Sequence, residues 1–136
     1  MLENHFRAYN EVLNRIRIKN MQLIRLKEDW YNISGTRYDD IKIKGGKTPD
    51  IADQLHNIVE KEKELAAIIN YRDELRKVHE LEIDKLSDNK KRAILKLFYL
   101  DGCSIKEIAC CLKISEIYTK KLKRWAVAEF NEKIIN

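Results

Sequence analysis

Five basic side chains crowd the stretch from Lys113 to Arg124: Lys113, Lys120, Lys121, Lys123 and Arg124, against the single acid Glu116. The chemistry open to such a run is polyanion binding rather than bond breaking. Ammonium and guanidinium groups neutralise phosphates and release their counterions, which makes affinity steeply salt-dependent. On a helix lying in a DNA major groove, Arg124 would reach a guanine edge and Ile117 a thymine methyl. Glu116 would accept from a cytosine amino group, or simply favour the helix N-terminus. The plainer alternative is that Lys120, Lys121 and Lys123 form a solvated helix face.

Catalytic constellations find little support. His5, His56 and His79 are scattered over two long helical stretches with no spacing that suggests a triad or a metal site. Asp39 and Asp40 are adjacent but lack a histidine partner. Gly45-Gly46-Lys47-Thr48 echoes a phosphate-binding loop, yet the full pattern needs a glycine five residues before the Gly-Lys pair, and that position is Ile41. Cys103, Cys110 and Cys111 lack metal-ligand spacing; adjacent Cys110 and Cys111 project about 100° apart on a helix, so all three are expected as reduced, small apolar residues. We therefore expect no enzyme, no metal site and no cofactor.

The basic run needs elements to present it. Ser104 and Glu107 have the spacing of a capping box, with Cys103 and Ile108 as its hydrophobic staple. Ile105, Ile108, Ala109 and Leu112 share one face of the helix that follows. Lys113-Ile114 is the bend and Ser115 a second N-cap. Thr119, Leu122 and Ala126 continue the buried face, while Glu116, Lys120, Lys121 and Arg124 lie opposite. A helix-turn-helix unit has this layout: a bracing helix, then one whose outer face enters the major groove. Upstream, residues 87–101 read as a helix beginning at Ser87 and closed by Gly102, with Ala93, Ile94, Leu97, Phe98 and Leu100 inward. Trp125, Val127, Phe130 and Ile134 are expected to close this three-helix domain, residues 87–136. Lys90, Lys91 and Arg92 oppose the helix dipole at the start of that helix, which suggests a DNA backbone contact or a salt bridge to the acidic 49–86 helix.

The first 86 residues read as an arm. Leu2, Phe6, Tyr9, Leu13, Ile16, Asn20, Leu23, Lys27 and Trp30 alternate at spacings of four and three, a seam over residues 2–33. Asn20 is either a register-fixing polar residue or the point where the seam turns to solvent. Residues 34–48 are expected as an irregular loop. Thr48, Pro49 and Asp50 then start a second long helix over 49–86, with Ile51, Leu55, Ile58, Leu65, Ile68/Ile69, Leu75, Val78 and Leu86 inward and Glu62 and Arg72 interrupting. At about 1.5 Å per residue the two helices are some 48 and 57 Å long, and neither can bury its stripe alone. The simplest architecture is an antiparallel helical hairpin; an intermolecular coiled coil is the alternative. Net charge is +4 over residues 1–48, −4 over 49–86 and +5 over 87–136. Four glycines and one proline among 136 residues favour an all-α chain. No apolar run reaches the roughly 18 residues of a membrane span, and the N-terminus lacks a signal-peptide pattern, so a cytoplasmic location is expected.

The run from Tyr99 to Phe130 resembles region 4 of bacterial sigma factors. It is still more similar to the small phage late-transcription regulators of the ArpU and RinA type. Tyr99, Gly102, Ser104, Lys106-Glu107-Ile108-Ala109, Leu112, Ile114-Ser115 and Ala126 carry the resemblance, and the long-helix, loop, long-helix layout before them is similar too. The resemblance implies a sequence-specific DNA-binding activator of late genes that acts on double-stranded promoter DNA with the RNA polymerase of a bacterial host. Its DNA-facing residues would be Ser115, Glu116, Ile117, Tyr118, Lys120, Lys121 and Arg124. Two departures stand out: Lys113 occupies a turn position where glycine is usual, and Thr119 replaces an aliphatic residue. A homodimer through the long helices is expected, because one small reading unit contacts few base pairs. The alternatives are a helical scaffold or a phage DNA-packaging subunit.

Overall fold

The computed structural model describes residues 2–36 and 51–136. The chain is all-α, with no strand among the described residues. Its elements are α1 (Leu2–His5), α2 (Arg7–Thr36), α3 (Ile51–Ile83), α4 (Asn89–Leu95), α5 (Ile105–Leu112) and α6 (Glu116–Phe130). A wider π-helical turn prolongs α4 through Lys96–Leu100, and another prolongs α6 through Asn131–Ile135. Helix α2 carries residues 34–36, so the expected loop begins later. The rest of that loop, the glycine-rich Gly45–Thr48 run and the Thr48–Asp50 helix start lie outside the described residues. None of the described helices is long and apolar enough to cross a membrane.

Two compact units divide the chain, Val12–Tyr71 and Met1–Glu11 with Arg72–Asn136. In the first, the arm, α2 and α3 run antiparallel: Lys19 pairs with Glu64 at 3.4 Å, Lys27 with Glu62 at 3.0 Å, and the Trp30 indole donates to the Ile51 carbonyl at 3.3 Å. Val12, Ile16 and Leu23 of α2 pack with Ile58 and Leu65 of α3, flanked by Leu26, Trp30, Ile68 and Ile69. The seam departs from the strict heptad. Asn20 and Lys27 are exposed, and Lys19 and Leu26 are half-buried in their stead. A leucine, or the aliphatic stem of a lysine, loses less on leaving water than a carboxamide does, so the helix turns Asn20 outward. The cross-helix ion pairs are exposed and contribute about 0–1 kcal/mol each. Apolar burial holds the pair together.

The second unit, the head, takes in both ends of the arm expected from sequence, so its edge falls at Arg72 rather than at residue 87. The reason is aromatic. Leu2, Phe6 and Tyr9 are buried, as are Ile83 and Leu86 from the end of α3 and its exit. Phe6 stacks on Tyr99 at 5.0 Å and lies 5.7 Å from Phe130. Arg76 fastens the rim, donating to Tyr9 at 3.1 Å and pairing with Glu80 at 2.6 Å and Asp101 at 2.9 Å. Along α3 the inward position is His79, not Val78, which is 54% exposed.

Helix α4 starts two residues later than expected. Asp88 is extended, and Ser87 instead donates its hydroxyl to Glu129 at 2.7 Å. Ile94, Ile108 and Leu122, one from each of α4, α5 and α6, form the head's second cluster. Leu97, Phe98, Cys103, Leu112 and Ile114 pack around it. Each fully buried aliphatic side chain contributes about 1.5–3 kcal/mol. Phe130 and Leu122 belong to the core as expected, but Trp125 is half-exposed. It lies at the edge of the face that carries buried Leu122 and Ala126, and its ring meets Tyr118 edge-on at 6.4 Å.

Candidate nucleic-acid interface

Local rules place α5 and α6. The Ser104 hydroxyl accepts from the Glu107 amide at 3.1 Å, and the Glu107 carboxylate accepts from the Ser104 amide at 3.3 Å, a complete capping box. Gly102 precedes it at φ 69°, a left-handed conformation in which any Cβ is strained. Helix α5 ends on Lys113, also left-handed, at φ 57° and ψ 46°. The Ile114 amide returns to the Ala109 carbonyl at 3.1 Å, and Ile114 packs on the Ile94 cluster, the closure of a Schellman turn. Lys113 therefore adopts the conformation usually given to glycine, at a cost of about 1–2 kcal/mol. Ser115 then caps α6, its hydroxyl accepting from the Tyr118 amide at 3.1 Å.

Thr119 is fully buried, and its hydroxyl donates to the Ser115 carbonyl at 2.7 Å. The polar group brought inside is thus satisfied, which removes most of the penalty for replacing an aliphatic residue. Thr119, Leu122, Ala126 and Phe130 make the inner face of α6. Glu116, Ile117, Lys120, Lys121 and Arg124 are exposed together on the outer face, with Ile117 72% exposed at its centre. Tyr118 and Trp125 border that face. A shallow groove runs from Ile105 past Lys120 and Arg124 to Tyr99 and Glu3. The Tyr99 phenol at its floor is pushed up to about 12 by burial, reinforced by the Glu3 charge.

The predicted residues do not all stand in one place. Lys123 turns away from the outer face, its ammonium 3.6 Å from the Phe98 ring centre, a cation–π contact that ties α6 to the π turn after α4. The Lys90–Arg92 run is likewise divided. Lys91 pairs with Glu129 of α6 at 3.9 Å, and Arg92 donates to the Leu86 carbonyl and the Asn89 side chain. The acidic partner is on α6 rather than α3. Lys96 is the residue of this helix that reaches the end of α3, pairing with Asp84 at 2.7 Å. Cys110 and Cys111 are exposed, contrary to the expected apolar role, and Cys103 alone packs on the cluster.

Sequence reasoning missed a second group. His5 Nε2 lies 3.0 Å from both carboxylate oxygens of Glu82, and His79 Nδ1 lies 2.9 Å from one of them. His79 is 5% exposed. Burial pushes the Glu82 carboxyl up, but the two imidazole hydrogen bonds outweigh it and hold it below the usual glutamate value. The one local signal was His79 and Glu82 at i, i+3 on a single helix face. His5 stands 77 residues before Glu82 and joins only because the head closes.

The fold and the exposed basic helix define a class: an all-helical chain with an α-hairpin and a small multi-helix head that offers a positively charged face. The chain belongs to the family described as "Protein of unknown function (DUF1492)", which it matches over residues 32–131. No curated protein and no solved structure matches it.

Proposed function

We propose that the chain is a sequence-specific DNA-binding regulator of transcription, with α5 as the brace and α6 as the helix that enters the major groove. The observation that carries the reading is the joint exposure of Ile117, Lys120, Lys121 and Arg124 on a helix capped at Ser115 and fixed from behind by Thr119, Leu122 and Ala126. A helix held by its inner face can spend its outer face on a ligand, and here that face is basic with an apolar centre. Arg124 and Ile117 read bases, and Lys120 and Lys121 neutralise phosphates. Ser115 and Glu116 set the N-terminus of the reading helix, and Tyr118 packs at its edge. Lys123 acts from within, by positioning α6. The resemblance to phage late-gene activators favours a promoter as target, host RNA polymerase as partner and the bacterial cytoplasm as location. On this reading the protein binds and does not catalyse.

The same reading makes the protein a homodimer, so that two heads address two half-sites. It is supported by Ile18, Met21 and Ile24 of α2, which the hairpin leaves more than half exposed.

The test is footprinting on genomic DNA of the source with and without RNA polymerase, followed by titration of the protected site at two salt concentrations. Replacing Lys120, Lys121 and Arg124 with Ala is expected to weaken binding at least a hundredfold and to flatten the salt dependence by about 0.9 for each phosphate contact removed. A wild-type protein that protects no site, or a triple variant that binds as well as wild type, refutes the reading and leaves the scaffold or packaging role.

A further inference from the structure

We propose that His5, His79 and Glu82 form a binding site for a divalent transition-metal ion of the zinc class, which clamps the N-terminal helix of the head to α3. The three donor atoms lie within 4.8 Å of one another, and the group comprises two imidazoles and one carboxylate. Nitrogen and oxygen donors in this ratio suit zinc and its neighbours, whereas magnesium and calcium prefer all-oxygen sites. In a tetrahedral site with bonds of about 2.0–2.2 Å, donor atoms stand about 3.3 Å apart. The His5–Glu82 and His79–Glu82 separations of 3.0 and 2.9 Å are close to that. The third pair, His5 and His79, also lies within 4.8 Å.

Preorganisation is the second argument. His79 is held by rings rather than by solvent. Phe6 lies 4.7 Å and Tyr9 6.1 Å from it, both edge-on. Its Nε2 is buried and has no hydrogen-bond partner, so ring packing together with the Nδ1–Glu82 hydrogen bond fixes the imidazole with Nδ1 toward Glu82. Aromatic packing here takes the orienting role that a second carboxylate plays at many metal-bound histidines. The site is also reachable. The His5 and Glu82 side chains are 28% and 20% exposed, against 6% for His79, so one side opens to solvent, the source of a water as fourth ligand.

The charges favour occupancy. One carboxylate now serves two imidazoles; a divalent ion would replace the two shared hydrogen bonds with three coordinate bonds, the proton of each imidazole passing to its other ring nitrogen, Nδ1 of His5 and Nε2 of His79, or, from a cationic imidazole, to solvent. The consequence is structural. His5 precedes Phe6, whose ring lies against Tyr99 and Phe130. Fixing His5 to α3 therefore fixes the aromatic centre of the head.

The experiment titrates chelator-stripped protein with Zn2+, Co2+ and Mg2+. It uses a Cys110→Ser/Cys111→Ser background, because those exposed thiols would bind zinc on their own. Zn2+ at a hundredfold over its Kd is expected to raise Tm by about 8 °C, Mg2+ to leave it unchanged, and Co2+ to give the visible absorption of a four- or five-coordinate ion with nitrogen and oxygen donors. His5→Gln and Glu82→Gln, both at partly exposed positions, are each expected to weaken Zn2+ binding at least tenfold while the helical circular dichroism is retained. Absence of micromolar binding, or binding that survives both substitutions, overturns the proposal. In the first case the cluster is a carboxylate-bridged histidine pair only. If one variant is unfolded, the other decides the question.

Discussion

The arm and the head are built from the same helical material but solve burial differently. In the arm two helices share one seam. Five residues are buried there, none below 5% exposure, and Ile18, Met21, Ile24, Leu55 and Val59 stay in water. In the head the buried residues come from all six α-helices, and Phe6, Ile83, Ile94, Leu95, Ile108, Thr119, Ala126 and Phe130 lose all contact with solvent. Two cylinders can shield only one line of side chains between them, while several short helices can enclose a centre. An enclosed centre holds an exposed helix face rigid enough to read another molecule. A seam leaves apolar surface over, which suits association.

The comparison breaks most sharply at Phe6. Phe6→Ala is expected to cost about 3–5 kcal/mol and to abolish the near-ultraviolet signal of the head, although the residue lies at the far end of the sequence from α6. Loss below 1 kcal/mol by urea titration would return the N-terminal segment to the arm. Leu65→Ala in the seam is expected to cost about 2 kcal/mol, at the low end for a buried leucine because water can reach the site. Its effect should be confined to the arm, with hydrogen exchange of α5 and α6 unchanged. Ser104→Ala removes the cap of α5 and is expected to cost about 1 kcal/mol, read as a small drop in the Tm of the head. Lys113→Gly should move the other way, stabilising by about 0.5 kcal/mol, since relief of the left-handed strain is partly offset by the greater freedom of glycine in the unfolded chain. DNA affinity is expected to be unchanged by it; a destabilised variant would show that the Lys113 side chain contributes more than its backbone costs.

Much of this was legible along the chain, because helix signals are local. The capping box at Ser104 and Glu107, the second cap at Ser115, the closing glycine at Gly102, and the inner face of α6 through Thr119, Leu122 and Ala126 all depend on residues within a turn or two of each other. Those rules act before any tertiary contact and survive it. The positions misjudged were those whose surroundings come from elsewhere. Trp125 has the residue type of a core side chain but an angular position at the border of the inner face. Lys123 reads as part of a basic face, yet Phe98 draws it inward. Lys91 finds its carboxylate on α6, not on α3. Val78 and His79 exchange roles, because an imidazole with a carboxylate one turn away and another histidine beside it is cheaper to bury than its type suggests.

What the sequence determined by itself was therefore the all-α class, the caps, the turn at Lys113 and the basic outer face of α6, since period and cap chemistry follow from neighbours along the chain. Only the tertiary structure decided that residues 2–11 belong with the head, that Lys123 lies over the Phe98 ring, and that His5 meets His79 and Glu82. Those outcomes depend on which surfaces close on one another, and a contact across 77 residues leaves no periodic trace in the chain that makes it.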